Sequence, residues 1–153
     1  MIQKWYKTQG RRTLPWRTTK DPYPIYLSEV MLQQTQVKTV LERYYFPFLE
    51  KFPTLQALGN ANLDEVLKMW EGLGYYNRAK NLHKTAQLLI QGQPHNSSPT
   101  LPSSIEELIK LPGIGKNTAH AIATFAYKKS CSHYGGQCQT YPLSSASTQK
   151  SYR

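Results

Sequence analysis

The run Leu111-Pro112-Gly113-Ile114-Gly115 separates two stretches whose apolar residues recur at helical spacing. Glycine permits the positive φ that a tight turn requires, so this run predicts two helices joined by a short hairpin. No part of the chain alternates apolar and polar residues with the period of a β-strand. The sequence therefore predicts an all-α fold built from short helices.

Proline and glycine residues divide the rest of the chain into further helical stretches. Residues 10–24 are predicted to form a loop, because Pro15, Pro22 and Pro24 interrupt them. The predicted helices span residues 1–8, 25–34, 37–51, 63–70, 77–91, 104–111 and 117–127. No internal repeat is visible.

The charge balance indicates a polyanionic partner. The net charge is +10 and the isoelectric point is about 9.6, which favours nucleic acid first and an anionic membrane surface second. No run of about 18 apolar residues predicts a transmembrane helix, and no apolar segment of a signal peptide follows Met1. Two cysteines, Cys131 and Cys138, do not make a disulfide framework, so a reducing cytoplasm is expected.

The predicted hairpin carries features of a phosphate-binding site. Glycines allow backbone N–H groups to approach a phosphate, and the N-terminus of the following helix adds a partial positive charge. Lys116 opens that helix. The motif looks like a helix-hairpin-helix, and together with the basic charge it favours nucleic-acid binding. A purely structural pair of antiparallel helices is the alternative.

Glu29 is the candidate proton donor. It lies in a helical stretch whose apolar stripe contains Leu27, Val30 and Met31. A carboxylate beside apolar neighbours tends to have a raised pKa and can donate a proton. The amides that follow it could read the polar edge of a base. A solvated glutamate on a helix surface is the alternative.

Several ordered motifs resemble those of the MutY-type adenine DNA glycosylases, a family of the helix-hairpin-helix superfamily. The similarity covers residues 5–129. It implies the helix-hairpin-helix DNA glycosylase fold, of which residues 1–129 supply the N-terminal part. The motifs are Leu14-Pro15-Trp16-Arg17, Leu27-Ser28-Glu29-Val30-Met31-Leu32-Gln33-Gln34-Thr35-Gln36, Trp70-Glu71-Gly72-Leu73-Gly74-Tyr75-Tyr76, Arg78-Ala79-Lys80-Asn81-Leu82 and Leu111-Pro112-Gly113-Ile114-Gly115.

This resemblance implies a role for individual residues. Glu29 is the catalytic acid that protonates N7 of adenine before hydrolysis of the N-glycosidic bond. Tyr75 and Gln34 enter the DNA from opposite sides, and Tyr76 is expected to pack in the fold. The implied adenine pocket contains Arg12, Trp16, Arg17, Leu32, Gln33 and Asn117, and the implied phosphate contacts come from Gly113, Ile114, Gly115 and Lys116.

The chain departs from the family pattern in its acids and cysteines. An aspartate that stabilises the cationic sugar follows the hairpin motif in the family, but the two aspartates here are Asp21 and Asp64, both far upstream. The family's 4Fe-4S cluster needs four cysteine thiolates. With two cysteines, neither in that pattern, no metal or cluster is expected in this chain. The C-terminal helices, the iron–sulfur region and the domain that reads 8-oxoguanine are likewise expected to be missing.

Residues 130–153 differ in composition from the rest. They contain no acidic residue, and Leu143 is their only residue among Ile, Leu, Val, Met and Phe, so they are predicted to be disordered. A one-base shift of the reading frame through residues 133–139 permits Ile-Met-Glu-Ala-Asn-Val-Lys, which aligns with the family's stretch but does not permit its aspartate. A frame-shifted tail and a naturally divergent tail are the two interpretations.

The expected function is that of an adenine DNA glycosylase of base excision repair, with impaired activity in this chain. Its expected partner is duplex DNA with adenine opposite 8-oxoguanine or guanine, and it is expected to be a monomeric bacterial protein of the cytoplasm that associates with the nucleoid. An endonuclease III-like lyase is disfavoured because Asn117 stands where lyases carry a nucleophilic lysine. A non-catalytic DNA-binding fragment is the remaining alternative.

Overall fold

The computed structural model describes residues 14–93 and 97–128, which contain eight helices and no strand. The all-α prediction is confirmed. The predicted helix at residues 1–8, the site residue Arg12 and the tail at residues 130–153 lie outside the described residues. The helices are α1 Pro15–Thr18, α2 Pro22–Met31, α3 Val37–Thr39 continuing through Val40–Tyr45 and Phe46–Lys51, α4 Leu55–Asn60, α5 Leu63–Met69, α6 Asn77–Gln91, α7 Ile105–Ile109 and α8 Lys116–Tyr127.

The helix that carries Glu29 begins earlier than the sequence predicted. Asp21 occupies the N-cap of α2, where its carboxylate accepts a hydrogen bond of 3.0 Å from the backbone N–H of Tyr23. Pro22 fits the first turn because backbone N–H groups there have no hydrogen-bond acceptor within the helix, so a residue without an N–H loses no bond. The prediction of a loop throughout residues 10–24 was wrong, since α1 and the start of α2 lie within it.

Helix α3 changes its hydrogen-bond pattern in the middle. Its segment Val40–Tyr45 is a π-helix, between α-helical turns on either side. Pro47 lies two residues after the end of this segment and has no N–H to bond to the preceding turn. A wider turn before the proline allows the helix to continue past it, so residues 37–51 form one helix as predicted.

Capping residues determine where the two short helices that follow begin. Thr54 Oγ1 accepts a hydrogen bond of 3.1 Å from Ala57 N at the start of α4. Asn62 Oδ1 accepts one of 3.2 Å from Asp64 N at the start of α5, which confirms the predicted cap. Gly72 and Gly74 after α5 have φ values of 87° and 77°, the left-handed region that glycine tolerates.

Helix α2 lies in the core, packed against the helix that follows the hairpin. Helix α8 packs against α2, and both α4 and α5 pack against α6. Tyr26, Leu27 and Met31 of α2 have no exposed surface. As a result, the helix that carries Glu29 is held directly against the second helix of the hairpin. Across residues 14–93 and 97–128, no helix has the length and apolar character that crossing a membrane requires.

Candidate functional site

Glu29 is half-buried on α2, beside residues that belong to the core. Ser28 and Val30 on either side of it are buried. Burial raises the pKa of the Glu29 carboxyl above its usual range, and the positive charge of Arg17 opposes part of that rise. Desolvation disfavours the charged form of a carboxyl group. Glu29 is therefore a partly buried carboxyl group rather than a fully solvated one, and its role as proton donor stays a prediction.

Gln33 connects the end of α2 to the hairpin. Its Nε2 donates a hydrogen bond of 3.5 Å to Oγ1 of Thr118 in the first turn of α8. Thr118 is buried, whereas its neighbour Asn117 is exposed. Leu32 is partly buried against the core. The structure thus brings Gln33 together with the start of α8, and it shows Thr118 as a contact that the sequence did not indicate.

The two residues of α1 in the implied pocket lie in different surroundings. The guanidinium carbon of Arg17 lies 4.4 Å from the ring centroid of Phe125 on α8. Trp16 is 3% exposed and meets the ring of Tyr45 edge-on at 4.8 Å. The ring face of Trp16 is therefore packed in the core rather than open to a ligand. Its role beside a bound base stays a prediction.

The hairpin has the geometry that its glycines predicted. Gly113 has a φ of 73°, and a Cβ at this position would lie 2.8 Å from Cβ of Asn81 on α6. Thr85 Oγ1 donates a hydrogen bond of 3.1 Å to the carbonyl oxygen of Pro112. Ile114 is buried, whereas Gly115 and Lys116 are exposed. The turn is thus fastened to α6 on one side while its second glycine and its lysine face solvent.

An open cavity of about 640 Å³ lies beside two exposed turns, one after α2 at residues 32–36 and one before α6 at residues 72–76. We call it the groove. Its lining residues are Gln33, Gln34, Tyr75, Tyr76, Asn77 and Arg78. Gln34 and Tyr75, which were predicted to enter DNA, both line it. Tyr75 is 65% exposed. The prediction that Tyr76 packs in the fold was wrong, because this side chain is 43% exposed and lines the same groove.

Arg78 was part of a recognised motif but received no functional assignment from the sequence. Its guanidinium bonds to carbonyl oxygens from both exposed turns, and its centre lies 5.5 Å from the rings of Trp70 and Tyr75. Burial lowers the pKa of Arg78, and its electrostatic interaction with the nearby Tyr75 opposes part of that decrease. An arginine in the first turn of a helix carries no sequence signal that separates this role from a solvated charge.

The family model for "HhH-GPD superfamily base excision DNA repair protein" matches residues 27–144. The chain belongs to this superfamily. The match includes the second half of α2 with Glu29, the groove, the hairpin and α8. It also continues past Lys129, where the recognisable motifs end.

Two adenine DNA glycosylases are similar in sequence to this chain. An adenine DNA glycosylase of Buchnera aphidicola subsp. Baizongia pistaciae is 50% identical over 126 residues, which is 82% of this chain and 34% of the relative. The human adenine DNA glycosylase is 41% identical over 134 residues, covering 82% of this chain and 24% of the relative. The chain therefore spans about a third or less of the length of these relatives.

Solved structures share the fold. A thermostable thymine-DNA glycosylase superposes with a TM-score of 0.73 at 28% identity, covering 85% of this chain and 58% of that chain. A trapped endonuclease III–DNA covalent intermediate superposes with a TM-score of 0.68 at 22% identity, covering 85% and 59%. The second likeness concerns the fold alone. Together they confirm the predicted helix-hairpin-helix glycosylase fold.

The residues of this chain do not fit a four-cysteine iron–sulfur cluster. Such a cluster is held by four thiolates, and the sequence contains two cysteines, both outside the described residues. Within residues 14–93 and 97–128, no group of three or more His, Cys, Asp or Glu side chains could hold a metal ion. No step of the chemistry proposed below uses a cluster.

Proposed function

We propose that this chain is the N-terminal portion of an adenine DNA glycosylase, and that Glu29 is the acid that protonates the departing base. The observation that carries the proposal is the position of Glu29. Its carboxyl group is half-buried with a raised pKa, on a helix packed directly against the second helix of the hairpin. The identity of up to 50% with adenine DNA glycosylases supports adenine as the base.

The reaction is hydrolysis of the bond between adenine and deoxyribose. Protonated Glu29 gives its proton to N7 of adenine, which makes the base a better leaving group. The C1′–N9 bond breaks, its electron pair goes to the base, and the sugar becomes an oxocarbenium ion. A water oxygen then bonds to C1′ and its proton returns to the Glu29 carboxylate. The products are free adenine and an abasic site.

Stabilisation of the cationic sugar is the weak part of this site. All nine acidic residues of the sequence lie in the described ranges. The charged group that acts on Glu29 is Arg17, a cation. Asp21 lies eight residues before Glu29 on the same helix, which corresponds to about 12 Å at 1.5 Å per residue. The chain is therefore expected to bind DNA far better than it excises adenine.

Duplex DNA is the proposed partner, with adenine opposite 8-oxoguanine or guanine as the proposed lesion. The net charge of +10 and the exposed Gly115 and Lys116 support phosphate contacts. The exposed side chains of Gln34 and Tyr75 beside the groove support insertion into the base stack once a nucleotide is extruded. The protein is proposed to act as a monomer on the nucleoid in the cytoplasm.

Residues 1–129 are proposed to belong to one glycosylase domain, and the tail beyond them is proposed to have arisen by a shift of reading frame. The support is that the recognisable motifs end at Lys129 and that residues 130–153 contain no acidic residue. Sequencing the genomic DNA from the codon of Lys129 onwards tests this. A reading frame offset by one base that encodes further family motifs is expected. An uninterrupted divergent sequence in both frames would contradict it.

A chimera tests the catalytic assignment. The 126 residues of this chain that align with the Buchnera aphidicola relative would replace the matching segment of that relative. Adenine release from an adenine:8-oxoguanine duplex would be measured under single-turnover conditions. The chimera should release adenine, and Glu29→Gln should slow release by about 10²–10⁴-fold, the usual contribution of a general acid. Duplex binding should be unchanged. Excision that survives Glu29→Gln would overturn the assignment, and a chimera that binds the duplex without excising adenine would favour a non-catalytic DNA-binding protein.

The isolated 153-residue chain provides the second measurement. It should release adenine at least about 10²–10³-fold more slowly than the chimera, because removing one preorganised charge-stabilising group typically costs that much. Robust release by the chain alone would show that a second carboxylate is not needed here.

A further inference from the structure

Arg78 bonds to the backbone on both sides of the groove. Its Nη1 donates hydrogen bonds to the carbonyl oxygens of Val30 and Met31, each at 3.0 Å, and to that of Gln33. Its Nη2 donates to the carbonyl oxygens of Leu73 at 3.3 Å and Gly74 at 3.1 Å. One side chain thus joins the C-terminal end of α2 to the turn that precedes α6.

The bonded carbonyls stand next to the two exposed groove residues. Gln33 contributes the carbonyl of the peptide that enters Gln34, and Gly74 contributes the carbonyl of the peptide that enters Tyr75. A peptide unit is planar, so a hydrogen bond to its oxygen restricts the φ of the residue that follows. Arg78 therefore restricts the backbone at both Gln34 and Tyr75.

Both of these residues have a backbone conformation that requires such support. Gln34 has a φ of 59° and Tyr75 a φ of 50°, the left-handed region that side chains other than glycine rarely adopt. Each such residue costs on the order of 1 kcal/mol and persists when the surrounding structure holds it. The two strained residues sit in different turns, and the guanidinium of Arg78 contacts the peptide before each.

The chemistry of the site suits arginine in particular. The last carbonyls of a helix have no partner within the helix and carry partial negative charge, which attracts a cation. A planar guanidinium presents two terminal nitrogens to different acceptors at once, whereas a lysine ammonium is a single point. The ring of Tyr75 lies 5.5 Å from the guanidinium carbon, so the cation also contacts a side chain that it would position.

We propose that Arg78 is a positioning residue that holds Gln34 and Tyr75 at a set separation and orientation across the groove. This inference rests on the proposed DNA-binding function of those two residues. Arg78 acts through the backbone of the two turns and contacts no reacting atom. Without it, each turn would relax independently, and the duplex would be bound through its phosphates but not unstacked.

Hydrogen exchange of the full 153-residue chain tests the link between the turns without DNA. In Arg78→Lys, amides in residues 31–36 and 73–76 should both exchange about tenfold faster, because a lysine ammonium cannot bond to both turns at once and each turn loses the support of the other. Amides of α4 should be unaffected. Lys80→Arg is the matched control, since it exchanges the same two side-chain types at an exposed position of α6. Faster exchange in one turn only, in neither, or in every helix would overturn the inference.

A fluorescent duplex tests the consequence for DNA. The probe carries 2-aminopurine at one internal position opposite 8-oxoguanine, and its fluorescence rises when the base is unstacked. Wild type and Lys80→Arg should raise the fluorescence at saturation, whereas Arg78→Lys should give less than about half that rise while retaining affinity within about threefold, since lysine keeps the charge. A fluorescence loss that only follows a loss of affinity would overturn the positioning role. A wild-type chain that does not bind the duplex would overturn the proposed function alone, because exchange tests Arg78 separately.

Discussion

The Nε2 of Gln33 lies 3.5 Å from the Oγ1 of Thr118, although 85 positions of sequence separate them. This hydrogen bond joins the helix of the proposed acid Glu29 to the helix that follows the proposed phosphate-binding hairpin. Because the two helices also pack against each other, a duplex held by the hairpin would have a defined position relative to Glu29.

The raised pKa of Glu29 predicts a pH-dependent cost to stability. Between the ordinary value of 4.5 and the raised value, the folded state keeps a proton that the unfolded state has lost. The free energy of unfolding therefore falls as pH rises through that window and stays lower above it. Glu29→Gln should raise the free energy of unfolding at pH 7 and have little effect below the ordinary pKa, as measured by urea denaturation at both pH values. Glu42→Gln, at an exposed site, controls for the loss of one negative charge. A variant less stable than wild type at pH 7 would contradict the desolvation argument.

Removing the positive charge of Arg17 should raise the pKa of Glu29 further. The Arg17 cation lowers a pKa that burial has raised. In Arg17→Met, the carboxyl of Glu29 should therefore titrate at higher pH, as followed by the NMR chemical shift of its side-chain carbonyl carbon. Arg43→Met, at an exposed site on α3, is the control. An unchanged or lower midpoint in Arg17→Met would show that the two groups do not interact.

The two hairpin glycines should respond differently to alanine. Gly113→Ala places a methyl group in a left-handed conformation and 2.8 Å from Cβ of Asn81, so it should destabilise the fold by about 1–3 kcal/mol. Gly115 has a φ of −86°, and a Cβ there meets nothing within 4 Å. Gly115→Ala should therefore cost less than about 1 kcal/mol, mainly as a poorer N-cap. Equal losses in urea denaturation would contradict this description of the hairpin.

Lys116 should contribute to DNA binding through phosphate alone. Duplex binding by the chain should weaken steeply with salt and show little preference for a mispair, because phosphate contacts release counterions and carry no sequence information. Lys116→Gln should reduce the slope of log affinity against log salt by about one. Lys68→Gln, an exposed lysine on α5, should leave the slope unchanged. A change in mispair preference without a change in slope would assign Lys116 to base recognition instead.

The chain should not cleave DNA strands by a lyase mechanism. Asn117 is exposed in the first turn of α8, where it cannot form a Schiff base with an abasic sugar. Borohydride treatment should therefore trap no covalent complex with abasic DNA, whereas Asn117→Lys should introduce some trapping. A covalent adduct through Lys116 of the wild-type chain would contradict the assignment as a monofunctional glycosylase.

Local sequence determined the features that depend on neighbouring residues. The helix Asn77–Gln91 has the predicted bounds because its apolar residues recur at helical spacing over several turns. The positive φ of Gly113 and the cap at Asn62 also follow from short-range chemistry. The raised pKa of Glu29 was predictable because its apolar neighbours lie on the same helix.

Only the tertiary structure decided which distant groups meet. Arg78 bonds to carbonyls 45 to 48 positions away, and nothing in the spacing of a single basic residue indicates such partners. The same limit explains two aromatic residues. Trp16 was expected at the adenine pocket, but it is buried against Tyr45. Tyr76 was expected in the core, but it lines the groove. Sequence periodicity specifies which face of a helix is apolar. The direction of a side chain in a turn instead depends on backbone angles such as the φ of 50° at Tyr75, and helical periodicity does not specify those angles.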